Sequence, residues 1–530
     1  QASDSAAVGT TAGAAVAEAP PATPLPVVAP APPSTDEPLA SDSVFPSRRV
    51  VVSNSLYRLT FESRGARLIE AELSSYRSFA PNDSGRAHVI PDDSEFMTYG
   101  LVVGGDTVNL ADWEFTPSDT LIEVATGRRS LNWEAQRGRV TVSLSYSFAS
   151  DDYLIDVTGT IAGLGSDNAM VLVSLGPRLA TTERDTVGDF RSYNVVMHAH
   201  STDHLKFSSL DPGERRQIPG PFEWIAIKSK YFFTALLAGE DGMPLFGGVE
   251  VVGGQQSGRA MSHVHVRASL PAPGGRFAHS AYIGPQEFRR LAAVGNDFEE
   301  VNPYGWFLRP VVSPFAKIIV RILVWMHENM NLAYGWVLVV FGVAVRALLW
   351  PLNQKSMRSS VAMQAIQPEM KAIQDRLRQA SSPQQKQAIQ REMMQLYREH
   401  GVNPLGGCLP ALLPMPILFA LFFVFQNTIE LRGVPFLWLP DLSLPDPLFI
   451  TPVVMAASMY FLFKIGQRGA PPNPQTKMML YVMPAMFLVF GMKFPSGLNV
   501  YYAVSNLVSL PQQWLIARER AKRQGAKANT

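Results

Sequence analysis

The chain has 530 residues, with 46 Lys and Arg against 45 Asp and Glu, 17% charged residues and a mean hydropathy of +0.05. Its basic residues cluster beside apolar runs and not on a polar domain, which excludes nucleic acid as a specific partner. One cysteine, Cys408, excludes an intramolecular disulfide framework and any zinc site built on several thiolates.

Residues 1–45 are rich in Ala, Pro, Ser and Thr without periodicity and predict a disordered or partly polyproline tether. The chain starts at Gln1 with no basic stretch leading into an apolar core, so any membrane anchor is expected before Gln1.

Residues 46–296 change to short alternating apolar runs, at 50–53, 57–61, 139–148, 153–160 and 170–175. Turn signals such as Gly104-Gly105-Asp106, Asp151-Asp152 and Gly253-Gly254 punctuate them. A stretch of this size without a long amphipathic helix predicts an antiparallel sandwich that buries its own core. His198 and His200 share an i, i+2 spacing with His263 and His265, which predicts each pair on one face of a strand. With Asp203 and His204 such pairs would suit a metal, but surface or pleat-facing histidines are the plainer reading. No carboxylate pair or nucleophile motif stands out, so the domain reads as a binding or spacing module and not as an enzyme.

Residues 305–328 predict an interfacial helix. Arg309, Ser313, Lys317 and Arg321 recur every four residues in one polar stripe, and apolar residues cover the rest. The first span, about 332–351, contains Arg346 within a 19-residue apolar stretch at 332–350, close to the ~30 Å of a bilayer core at ~1.5 Å per residue. A guanidinium stays charged there, so it needs a partner, water or a substrate, or it snorkels past Trp350 to the headgroups.

Four further spans are expected at about 409–427, 449–463, 478–492 and 498–516. Fifteen residues, as at 449–463 and 478–492, reach only about 22 Å, so those spans require a thinned bilayer or burial in a bundle. Between the first two spans, 353–400 predicts a helical hairpin broken at Ser381-Ser382-Pro383, where Ser382 begins a capping box. Residues 355–400 hold eight Lys and Arg against four Asp and Glu, and 464–477 holds three basic residues and no acid. A basic tail follows at 518–530. The positive-inside rule puts these loops and the C-terminus in the cytoplasm and residues 1–300 outside, in the periplasm where the cell has one.

Arg346 in a first core span, the charged hairpin, NPLGGCLP at 403–410, PMPILFALF at 414–422 and FPSGLNVYYAVSNLVSLPQQ at 494–513 closely resemble the bacterial YidC-type membrane protein insertases. The resemblance runs continuously over about 305–520. GPFEWIAIKSKYFFTALL at 220–237 resembles the signature stretch of the periplasmic domain of the Gram-negative members. The resemblance implies an α+β multidomain chain: a periplasmic β-supersandwich, similar to sugar mutarotases but without enzymatic work, then a polytopic helical membrane domain of five spans with a cytoplasmic hairpin. It implies a hydrophilic groove, open to cytoplasm and lipid, in which Arg346 attracts the polar segment of a nascent membrane protein. Gln426, Asn427, Ser458, Tyr501, Tyr502 and Asn506 are the expected groove linings, each with a helix–helix hydrogen bond as the alternative. No nucleotide, metal or other cofactor is implied. The partners implied are nascent membrane proteins, the lipid bilayer and the Sec translocon components. The cytoplasmic loops are the surface for any ribosome contact, because the basic tail is short. The rival readings are a channel or secondary transporter with an intramembrane anion site at Arg346, which the absence of an inverted repeat opposes, and a sugar enzyme on a membrane anchor.

Overall fold

The computed structural model describes residues 47–81, 83–164, 168–239, 244–257, 260–305, 308–400, 415–468 and 477–528. The tether, Cys408 and the proline-rich start of the second expected span lie outside them. The chain divides into two compact units, one of Gln1–Ile227 with Thr234–Ile283 and one of Lys228–Phe233 with Gly284–Thr530.

The first unit is sheet-rich. Its core forms because the long strands alternate: in Val140–Ala149 every second residue from Val142 to Phe148 is buried. Phe61, Trp133, Tyr146 and Phe148 cluster there with ring centroids 5.6–6.5 Å apart. Three large sheets of five, nine and six strands are present. Most of the strand pairs run antiparallel, as in Val140–Ala149 against Leu154–Ala162, but Arg49–Ser53 runs parallel to Leu121–Glu123, a partner reached only by a long crossover. That pair departs from the purely antiparallel expectation. The six-stranded sheet ends in a hairpin of Tyr99–Val103 and Asp106–Asn109, closed by Gly104 and Gly105 at φ 61° and 100°. Left-handed backbone at both turn positions is what a two-residue hairpin demands, and glycine adopts it without strain.

The histidine spacing is corrected. The strand Asn194–His198 ends at His198, and His200 lies beyond it, exposed. His198 is buried, bonded to Thr202 Oγ1 at 2.8 Å and stacked on Trp224. His263 precedes the strand Val264–Pro273 that carries His265, and the two face different acids, Asp93 and Glu95. Among the described residues no group of three or more His, Cys, Asp or Glu is placed to hold a metal.

Short helices α1 (Thr186–Arg191) and α2 (Phe288–Val294) precede the long ones. Helix α3, Arg309–Met330, buries Val312, Ala316, Ile319, Val320 and Leu323 and exposes Val311, Phe315, Ile318, Ile322 and Trp325. Its polar stripe is partnered: Arg309 and Lys317 reach Glu300, and the Arg321 guanidinium lies over Phe288. Helix α4 is Tyr334–Ala365, α5 is Gln367–Gln379 and α6 is Pro383–Glu399. The hairpin expected over 353–400 starts later: residues to 365 continue α4, and a new helix starts because Pro368 in the first turn of α5 has no N–H to give an upstream carbonyl. Ser382 caps α6 by accepting from Gln385 N at 3.2 Å. Ile373 and Leu396 pack α5 on α6.

Helix α7 is Met415–Asn427, α8 is Ile450–Gly466, α9 is Met483–Gly491 and α10 is Ser496–Ala528. A π-turn at Met478–Val482 leads into α9, just ahead of Pro484, whose ring displaces the preceding carbonyls. Helix α10 continues twelve residues past 516, because Ala, Arg, Lys and Glu in the basic tail are strong helix formers. Among the described residues, Arg309–Met330 and Tyr334–Pro351 are long and apolar enough to cross a membrane, and Ile417–Asn427, Ile450–Gly466 and Met478–Gly491 are shorter apolar helices.

Candidate functional site

Arg346 projects from α4 toward α10, where its Nε donates to Ser505 Oγ at 2.5 Å. One turn further along, Gln512 Nε2 of α10 donates to Trp350 O at 3.1 Å. The rising numbers on both helices make α4 and α10 parallel. Both phenols of Tyr501 and Tyr502 lie within electrostatic reach of the guanidinium. The cation is therefore half-buried among hydroxyls. Among the described residues it has no carboxylate partner within 4.0 Å.

Tyr502 carries the second feature. Its hydroxyl is buried and has no hydrogen-bond partner among the described residues. The ring is fixed edge-on to Tyr501, centroids 5.6 Å apart, and against Phe487 at 6.5 Å. Tyr501 is packed deeper, against Phe341 and Phe425. An unbonded hydroxyl beside an unpaired guanidinium is a ready donor pair for an entering carboxylate or carbonyl.

Ser458 and Asn506 stand apart from this pair. They are buried and bonded to each other at 3.1 Å across α8 and α10, the helix–helix arrangement. Gln426 and Asn427 lie half-buried at the C-terminal end of α7. The structure thus brings together Arg346, Tyr501 and Tyr502, and adds Ser505, Ser509 and Gln512 along the same side of α10. Sequence reasoning missed these additions. The signal was there, since 501, 505, 509 and 512 repeat at helical spacing on one face, while 499, 506 and 513 fall on another.

The family model of the YidC periplasmic domain matches residues 49–326, and that of the 60Kd inner membrane protein matches residues 325–524. The membrane protein insertase YidC of Bordetella parapertussis is 30% identical over 499 residues, covering 91% of this chain and 85% of its own. That of Chlorobium phaeovibrioides is 32% identical over 507 residues, covering 89% and 83%. A solved structure of an active YidC insertase covers 89% of this chain and 93% of its own, at 17% identity and a TM-score of 0.34. The chain belongs to the YidC family of membrane protein insertases, inner-membrane proteins that carry a periplasmic domain.

Proposed function

We propose that insertion proceeds through a hydrophilic groove built around Arg346, which draws in the polar or acidic leading segment of a nascent membrane protein. The observation that carries this reading is the guanidinium held by neutral Ser505, with no carboxylate partner among the described residues. Even a half-buried charge without a counter-ion is costly in an apolar setting and attracts one. Tyr501 and Tyr502 supply the flanking phenols, and Gln426 and Asn427 the polar end of α7. Ser458 and Asn506, satisfied by each other, form the wall behind them. Polar segments crossing hydrocarbon pay for every unbonded group; the groove shortens that path, and the apolar spans then slide into lipid under their own burial.

The domain plan keeps the bounds read from the sequence: tether to 45, periplasmic domain 46–296, interfacial helix 305–328, five spans within 329–517 and a cytoplasmic tail. Two helix directions support it. Helices α4 and α8 each run parallel to α10, with pairs 346 and 505 on one side and 451 and 499, then 458 and 506, on the other. Helix α9 runs antiparallel to α8, because Gly491 meets Pro452 and Met455 while Tyr481 faces Tyr460. Alternating directions are what successive spans require, with the C-terminus and the α5–α6 hairpin in the cytoplasm. The same reading has the chain acting alone or with the Sec translocon, and meeting the ribosome through its cytoplasmic loops.

The test is insertion of a one- or two-span substrate into liposomes, read by protease protection, for wild type, Arg346→Ala and Arg346→Lys. Loss of protection with Ala and retention of most of it with Lys is expected. Normal insertion by Arg346→Ala would return this residue to a snorkelling role.

A further inference from the structure

The sheet-rich unit contains a cavity of about 690 Å³ that the groove mechanism does not use. Its floor is the less buried face of the six-stranded sheet, where a Cβ at Gly100 would meet nothing nearer than Leu172 at 3.6 Å. Its walls hold charges of both signs. Arg64 and Arg67 are already paired, with Asp112 at 2.9 Å and Glu62 at 2.7 Å. Arg267, in register with Ser174 on the floor, is exposed and makes no ion pair among the described residues.

The cavity also opens along an unused sheet edge. The strand Asp106–Asn109 is the last of its sheet, and all four residues are exposed. Among the described residues its one pairing partner is Tyr99–Val103, in the register Val103↔Asp106, Val102↔Thr107, Leu101↔Val108 and Gly100↔Asn109. Leu110 N donates to Tyr99 O at 3.0 Å, so hydrogen-bonded pairs fall at 99/110, 101/108 and 103/106. The alternation of an antiparallel ladder then turns the N–H and C=O of Thr107 and Asn109 outward. Those two residues line the cavity.

Both walls are held by backbone that L residues seldom adopt. Ala66, between Arg64 and Arg67, has φ 49°, and Met97, between Glu95 and Thr98, has φ 63°. Both are fully buried, and left-handed non-glycine residues concentrate where a structure fixes a binding geometry.

We propose that this edge and the cleft beside it dock an extended polypeptide segment that carries a carboxylate side chain. The segment adds as a strand to Thr107 and Asn109, whose outward groups lie ~6.6 Å apart, two strand residues. The carboxylate meets Arg267, which is in register with Glu250 and within electrostatic reach of Glu95 but closes no ion pair among the described residues. A polypeptide backbone repeats that donor and acceptor spacing and a sugar does not. That such a segment comes from an inserted protein rests on the insertase reading; the docking itself does not.

The test uses the full chain in lipid nanodiscs and eight-residue Ser/Thr/Gln peptides with a central Glu, followed by fluorescence anisotropy. The Glu peptide is expected to bind, and a Lys peptide to bind at least tenfold more weakly. Arg267→Glu should reverse that order. N-methylation of alternate peptide nitrogens in one phase should weaken binding at least tenfold, while the other phase leaves it unchanged. Thr107→Pro should act like the damaging phase, since it removes an outward donor without touching the ladder; where that variant fails to fold, the methylated peptides decide. Absence of peptide binding, equal effects of the two methylation phases, or indifference to Arg267→Glu would each overturn the proposal, as would competitive displacement by a neutral maltooligosaccharide. The readout is binding alone, so failure of the Arg346 insertion test leaves it intact.

Discussion

Asn506 Nδ2 donates to Ser458 Oγ over 3.1 Å, with both side chains buried between α10 and α8. The bond is one rung of a repeat. Seven residues earlier on each helix, Asn499 Nδ2 reaches Thr451 Oγ1 at 3.5 Å and also Gly491 O at 2.9 Å. Seven residues later on α10 and eight on α8, Gln513 lies so close to Gly466 that an added Cβ there would meet Oε1 at 2.9 Å. A seven-residue spacing is the period at which two parallel helices keep one seam in contact. The seam fixes the rotation of α10, and with it the face that turns Tyr501 and Ser505 toward Arg346.

Asn506→Leu therefore is expected to cost about 0.5–1.5 kcal/mol, the range of interhelical hydrogen bonds in membranes. The cost is modest because Ser458 Oγ still donates to Met455 O at 2.7 Å. Register is the sharper readout. In a chain with Cys408 replaced by Ser, S458C/N506C should form a disulfide readily and S458C/Y502C should not. Equal crosslinking of the two pairs would mean that α10 slides against α8.

Tyr502→Phe separates stability from insertion. Its buried hydroxyl has no hydrogen-bond partner among the described residues, so deleting it leaves thermal stability unchanged or raised by about 1 kcal/mol. If that hydroxyl meets the incoming chain, insertion of a substrate with an acidic leading segment falls several-fold at unchanged Tm. Unaltered insertion would remove Tyr502 from the groove.

Gly159 faces Phe277 across the ladder between Leu154–Ala162 and Arg276–Pro285. A Cβ at Gly159 would lie 2.1 Å from the Phe277 ring, which itself packs on Tyr99 at 5.8 Å. Gly159→Ala is expected to overpack this site at a cost of about 1–3 kcal/mol. The check is thermal unfolding followed by near-ultraviolet circular dichroism, and an unshifted midpoint would mean that Phe277 moves freely.

The sequence made the two-part organisation legible through the switch from period-two alternation, as in 140–149, to apolar runs at helical length. Arg346 was legible because a lone cation in an apolar run is conspicuous. Its partner was not, since Ser505 is one of several polar residues on α10, and choosing among them needs the azimuth that the 499–506–513 seam sets. The start of the hairpin was placed too early, at 353, because the helical pattern continues unbroken through that stretch, whereas Pro368 acts at a single position. The histidine pairs failed for a related reason: i, i+2 spacing indicates a shared face only inside a strand, and both pairs straddle a strand end.

Glu430 gives a pH prediction that no pattern in the sequence announced. It follows α7 in the turn Ile429–Leu431, where its Oε1 accepts from Phe288 N at 3.1 Å and its Oε2 is buried with no partner among the described residues. Burial pushes the carboxyl up from its usual 4.5 to about 7, with the Glu287 carboxylate adding to the rise and the Phe288 N–H opposing it. In the unfolded chain the group ionises near 4.5, while in the fold it keeps its proton to about 7. Between those values the folded state binds more protons, so this contribution is full below 4.5, declines as pH rises and is gone above about 7. A shift of this size corresponds to about 3 kcal/mol at 1.36 kcal/mol per pKa unit. Glu430→Gln, neutral at every pH and able to accept the same Phe288 bond, should be the more stable protein at pH 8 by roughly 1–3 kcal/mol and near wild type at pH 4.5. Thermal unfolding in detergent across pH 4.5–8 measures it. An identical pH slope in both proteins would mean that the carboxylate is already ionised in the fold and solvated by water reaching Oε2.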